Sequence, residues 1–221
     1  MSISNANKIG ARPILYRFVA PGVLVLAGIM FRTASSAADL DGLQAPSGSY
    51  VNDPGHTRFL WRIEHLGLTN YTARINNVDI QLEFDANDVA SSSVTAVIDP
   101  RSVDTGYVGE EDFDAKISTD ENILNAAAHP TIEFASSNIV KTGPTTMAVT
   151  GDLTLLGVTR PVTLDVVFSG STAEHPFVKV PALGFAATAT VDRTEFGLDF
   201  LSGSGLGDQL EIEIDAEFIR Q

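Results

Sequence analysis

Residues 150–168 read Thr-Gly-Asp-Leu-Thr-Leu-Leu-Gly-Val-Thr-Arg-Pro-Val-Thr-Leu-Asp-Val-Val-Phe. Leu153 and Leu155, then Val162, Leu164, Val166 and Phe168, alternate with polar neighbours on either side of a turn that contains Gly157. Side chains alternate between the faces of a strand, so this pattern predicts a β-hairpin with one dry face. Burying each of those large residues is favourable by roughly 1.5 to 3 kcal/mol, enough in sum to hold the hairpin against a core. What that core encloses must come from the rest of the chain.

The same alternation recurs on both sides of the hairpin. Ser49 to Leu66, with a turn at Asp53-Pro54-Gly55, Thr72 to Phe84 and Ser92 to Ile98 precede it, followed by Thr131 to Lys141 and Thr145 to Leu155. Val158 to Ser169, Leu183 to Asp192 and Leu210 to Arg220 complete eight expected strands. One helix is expected between Ser118 and Ala128, where Ser118 and Glu121 have capping-box spacing and Ile123, Leu124 and Ala127 form an apolar face. The acidic stretch from Val103 to Lys116 reads as a long exposed loop. Closely spaced alternating strands indicate an all-β, antiparallel sandwich or barrel.

A closed barrel of eight strands has an interior that its own side chains just fill or that holds one small ligand. Gly184, Ala186, Ala187 and Ala189 on one strand favour a cavity; Phe59, Trp61 and Phe168 could instead fill it. Alternation alone does not choose between them.

The N-terminus has a different character. Lys8, Arg12 and Arg17 precede an apolar run of 14 residues from Phe18 to Phe31, and small residues follow at Ala34 to Ala38. That order predicts a secretory signal over residues 1–38, cut after Ala37 or Ala38. The run is shorter than the roughly 20 residues of a membrane span, so an uncleaved anchor is the lesser expectation. Residues 39–48 read as a short spacer and 49–221 as the folded domain. The chain has no cysteine, which excludes a lipoprotein-type anchor and leaves stability to the core. Removing the signal leaves 10 bases against 28 acids, a formal charge of −18. Such a surface repels nucleic acid and anionic membranes. The expected location is the periplasm or outside the cell.

No catalytic constellation is legible, and no cofactor is implied. Asp53, His56, His65 and His129 lack zinc-ligand spacing, and Asp53 with His56 reads as a hydrogen-bonded turn. The acidic residues between Gly109 and Asp114 lack the calcium-loop pattern. Arg193, with Asp192 and Glu195, reads as a surface or rim ion pair, with a head-group contact as the lesser alternative.

In order along the chain stand Tyr50-Val51-Asn52-Asp53-Pro54-Gly55-His56-Thr57, His65-Leu66, Val103-Asp104-Thr105-Gly106 and His129-Pro130-Thr131-Ile132-Glu133-Phe134. Gly151 through Leu164 follows, then Gly184 through Leu198 with Arg193 and Phe196-Gly197-Leu198, and Gly207-Asp208-Gln209-Leu210. Each block is a weak signal, but in this order they make the chain resemble the YceI-like family over nearly all of Ser49 to Phe218.

The resemblance implies a lipocalin-like, eight-stranded antiparallel barrel with a short helix, whose apolar pore takes a polyisoprenoid or similar amphiphile. It is compatible with a homodimer. Candidate ligand-lining residues are Phe59, Trp61 and Ile63 on the first strand, Ile80 and Leu82 on the second, and Phe134 on the fourth. Leu164 and Val166 on the sixth, Phe185 on the seventh and Ile214 on the last complete them. Between Gly106 and His129 the chain departs from the family pattern. A basic residue is lost there, and aromatics give way to Ile123-Leu124. This disfavours a pyrophosphate head group and favours a neutral one, such as a quinone. The alternative is a filled barrel serving as a structural or stress-related interaction module, with the acidic loop as its partner surface.

Overall fold

In the computed structural model, which describes residues 40–221, the chain forms eleven strands that make eight walls. The expected signal, residues 1–38, lies outside the described residues. The first wall is β1 (Gly48–Asn52) and β2 (Arg58–His65), broken by a single 3-10 turn at Pro54–His56. Asp53 makes that break: its carboxylate accepts the Gly55 N–H at 2.8 Å, and Pro54 cannot donate to a ladder. The second wall is β3 (Thr69–Ile75) with β4 (Val78–Phe84), and the third is β5 (Ser93–Ile98) with β6 (Val103–Asp104). Then come β7 (Ile132–Lys141), β8 (Thr146–Leu155), β9 (Val158–Thr172), β10 (Ala182–Asp192) and β11 (Leu206–Arg220).

Every pairing between these walls is antiparallel and joins sequence neighbours. β11 pairs with β10 on one side and with both β1 and β2 on the other, so the sheet closes on itself. The result is an up-and-down barrel of eight strands, as expected.

The opening stretch forms the β8–β9 hairpin. Leu156 and Gly157 both have positive φ, which suits the twist of a two-residue hairpin turn. A Cβ on Gly151 would lie 2.5 Å from the Phe134 ring, so that ring packs against bare backbone. Pro161 sits in a stretch of β9 that pairs only with β8, because pairing with β10 begins at Asp165.

The two ends differ. At one, Phe168 is fully buried and tilts against Phe185 with ring centres 5.5 Å apart; Phe185 meets Phe218 edge-on at 5.9 Å. Tyr50 packs edge-on against Phe84 and donates to the Pro46 carbonyl at 2.6 Å. The stretch read as a spacer contributes here: Leu40 and Ala45 are buried in the core, and the Leu40 N–H reaches the Pro144 carbonyl. This end is closed. The other end carries the β2–β3 turn, residues 105–131, the β8–β9 turn and residues 193–205.

The helix is displaced from its expected position. It is α1 (Phe113–Thr119), started by Asp112, whose carboxylate accepts the Ala115 N–H at 2.9 Å. Ser118 is a helical residue whose hydroxyl turns back to the Ala115 carbonyl, and Asp120 ends the helix by accepting the Asn122 N–H. The capping-box spacing was therefore overridden by a better-placed carboxylate six residues upstream. The stretch read as a long loop contains β6 and the start of this helix.

Candidate functional site

Alternation puts Ile80 and Leu82 on the same face as Val78 and Phe84, and Leu164 and Val166 on the same face as Val162. The barrel closes with those faces inward. It does not pack solid: a cavity of about 530 Å3 runs inside it, within the range of about 300 to 1,000 Å3 that holds small ligands. All ten candidate residues lie on its wall: Phe59, Trp61, Ile63, Ile80, Leu82, Phe134, Leu164, Val166, Phe185 and Ile214. Phe59 and Trp61 line the void without filling it, and Phe168 belongs to the closed end. Ala96 on β5 and Ala187 on β10 also line it, with three strands between them in either direction around the barrel. Their missing volume is part of the reason the centre is hollow.

The wall is nearly all hydrocarbon. Its polar members are His65, Tyr71, Ser92, Lys116 and Arg193, besides the Trp61 indole; no carboxylate lines it. Ser92 accepts from the Asp85 N–H at 2.9 Å, and Lys116 pairs with Glu111 at 2.9 Å. These groups form no nucleophile and base pair.

Sequence reasoning misplaced Arg193. It is 1% exposed and does not form a surface pair. Its guanidinium donates to the carbonyls of Leu198 at 2.5 Å, Gly207 at 2.8 Å and Leu206 at 3.4 Å, with Asp208 at 3.5 Å. The residues around it complete one device: Asp192 caps the turn Arg193–Phe196, Phe196 and Leu198 are buried, and Gly197 takes the left-handed conformation that ends the turn. The block Asp-Arg-x-x-Phe-Gly-Leu thus shapes the rim of the open end. The signal that could have found this is an arginine set between Val191, Phe196 and Leu198, all of which are buried.

The open end is lined by α1 and its neighbours. Phe113, Lys116 and Ile117 of the helix, together with Ile123 and Leu124, face the cavity. A chain of rings leads outward, Trp61 to Tyr71 at 6.0 Å, Tyr71 to Phe113 at 6.2 Å, Phe113 to Tyr107 at 5.3 Å. Burial pushes the Tyr71 phenol up from its ordinary value; Thr105 is close enough to pull it partly back but makes no hydrogen bond with it. The Thr105 hydroxyl donates instead to Asp114 at 2.5 Å.

Asp53 and His56 do fix a turn by hydrogen bonding, with His56 Nδ1 2.8 Å from Asp53 Oδ2. Glu217 stands beside them, and its own partner is His175 at 3.1 Å. The hydrogen bond that His56 donates to Asp53 raises the His56 pKa, while the same bond, with the Gly55 N–H, lowers that of Asp53. A raised imidazole favours the folded turn below its ordinary value and loses that contribution as pH rises through the raised one. A lowered carboxylate contributes above its ordinary value and loses it as pH falls. The turn is therefore held best between the two titrations. In an NMR titration His56 should show a midpoint above the ordinary 6.5, and Asp53→Asn should return it toward that value. A native midpoint at or below 6.5 would contradict the pair.

The profile of the YceI-like domain family matches residues 50–218. A UPF0312 protein of Ectopseudomonas mendocina is 33% identical over 184 residues, covering 82% of this chain and 93% of its own length. One from Pseudomonas putida is 30% identical over 191 residues, 85% of this chain and 95% of that one. Among solved structures, BcnA of Burkholderia cenocepacia superposes with a TM-score of 0.65 at 20% identity, covering 75% of this chain and 98% of that one. A polyisoprenoid binding domain from Saccharophagus degradans gives 0.54 at 11% identity, covering 79% and 99%. At those identities the two structures share the fold.

Proposed function

The chain belongs to the YceI-like domain family, and on that premise we propose that it is an exported, non-enzymatic carrier holding a polyisoprenoid or quinone-like lipid inside its barrel. The observation that carries this reading is the continuous apolar cavity from the aromatic closed end to the helix at the open end. Each methylene moved from water into such a wall gains about 0.8 kcal/mol, so a prenyl chain is held firmly with few polar contacts. The polyisoprenoid binding domain that shares this fold supports the ligand class.

A neutral head group fits the open end better than a phosphorylated one. Lys116 is paired with Glu111, Arg193 is taken up by backbone carbonyls, and Glu110, Asp112 and Asp199 stand exposed around them. An anionic head would meet that negative field, with the lysine and the arginine of the cavity wall already engaged. Export rests on the N-terminal pattern, and sequencing the N-terminus of the periplasmic fraction should find it beginning at Ala38 or Asp39.

The decisive experiment for the carrier reading is native mass spectrometry of the protein as purified. A bound lipid mass lost on collisional activation is expected. A bare polypeptide, which also fails to take up ubiquinone or a neutral prenol when these are supplied, would leave the barrel without cargo.

A further inference from the structure

Six of the eleven large hydrophobic side chains most exposed among the described residues gather at the open end. Leu66 and Leu68 are at the β2–β3 turn, Tyr107 and Val108 precede α1, and Phe200 and Leu201 lie in the segment held by Arg193. Leu68 is 82% exposed and Val108 98%. The three segments are mutually braced. The Leu66 N–H donates to the Gly205 carbonyl at 2.8 Å, and Tyr107 and Tyr71 both stack on Phe113.

Phe200 and Leu201 belong to two surfaces at once, being exposed and lining the cavity. At these two residues the hydrocarbon wall runs from the interior onto the outside of the barrel. A soluble protein gains nothing by wetting such a rim, and contiguous exposed apolar patches mark interaction sites.

We propose that this rim is a docking surface for a zwitterionic lipid bilayer, into whose headgroup zone Leu66, Leu68, Val108 and Phe200 insert while the mouth opens onto the acyl chains. The inference rests on the carrier reading and adds where and how the cargo is exchanged. A long prenyl chain crossing water pays for every methylene it exposes, so transfer proceeds only when the mouth touches the membrane. The charge around the rim selects the surface. Glu64, Glu110, Glu111, Asp112 and Asp199 stand among the apolar tips, so anionic bilayers repel the rim and neutral ones accept it. Tyr107, with an apolar ring and a polar tip, suits the interface between headgroup and chain. The closed end cannot serve the same purpose, because Phe168, Tyr50 and Leu183 seal it.

The test compares the wild-type protein with the double variant Leu68→Asp, Val108→Asp, whose two sites are the most exposed of the rim and lie outside the cavity wall. Flotation with phosphatidylcholine vesicles should carry up the wild type, and at least tenfold less of the variant. Vesicles containing phosphatidylglycerol should bind the wild type less than phosphatidylcholine alone, a difference erased by high salt. Extraction of ubiquinone from the phosphatidylcholine vesicles should slow tenfold or more in the variant. Binding of geraniol added from solution, which needs no docking, should be the same in both. Equal flotation and equal extraction rates, with geraniol bound by both proteins, would overturn the docking surface and leave the carrier intact. Failure of the wild type to bind either lipid would instead remove the carrier reading and the docking inference with it. A dimer of the wild type in light scattering that the double variant dissociates would assign the rim to a second copy and overturn the membrane.

Discussion

Ala187→Trp should leave the barrel folded and empty. Ala187 sits on β10 between Val166 of β9 and Ile214 of β11, all three on the cavity wall. An indole there projects into open space of about 530 Å3 instead of into a packed neighbour, so the usual penalty for overpacking a core does not apply. Filling the void gains dispersion contacts, and the melting temperature of the ligand-free protein should hold or rise. The ligand loses that space. Displacing one five-carbon isoprene unit from the wall costs about 4 kcal/mol at 0.8 per carbon, on the order of a thousandfold in affinity. Isothermal titration with ubiquinone in detergent micelles measures this. Adding Ala96→Phe from the opposite wall should abolish binding altogether. Wild-type affinity in the filled double variant would show that the lipid sits somewhere other than the interior.

Arg193→Ala is expected to cost about 3 to 5 kcal/mol of stability, the largest single loss at the open end. The change strands the carbonyls of Leu198, Leu206 and Gly207, which the guanidinium now satisfies in a nearly dry environment. Urea unfolding should show a lower midpoint with a similar slope. Arg193→Lys should recover only part of the loss, because an ammonium cannot reproduce the planar fork that reaches three carbonyls at once. Full recovery by lysine would mean that the charge, and not the hydrogen-bond geometry, is what the site needs. The same substitution loosens residues 198–206, which carry Phe200 and Leu201. Cargo exchange should therefore change along with stability.

The strands and their apolar faces were legible because a strand's period is two and most walls keep it over seven or more residues. Val78, Ile80, Leu82 and Phe84 could lie on only one face. The helix was misplaced because local capping signals compete, and Asp112 has the same chemistry as the Ser118 box. Which cap wins depends on the tertiary fit of Phe113 and Ile117 over the cavity, something no window of sequence contains. Arg193 was misread for a related reason. A charged side chain is expected at the surface unless its partners are known, and three of those partners are carbonyls 5 to 14 residues away.

By itself the sequence determined the eight alternating stretches and which side chains share an apolar face within each, because alternation is a local consequence of backbone geometry. Whether those side chains would meet in the middle could not be read from it. A barrel is hollow or full according to the sum of volumes projected from all its walls at once, and only closure of β11 onto β1 and β2 brought Ala96 and Ala187 to face one another across a gap. Closure also decided which end is sealed. Phe168, Phe185 and Phe218 are far apart along the chain and become one aromatic plug only when β9, β10 and β11 are in register.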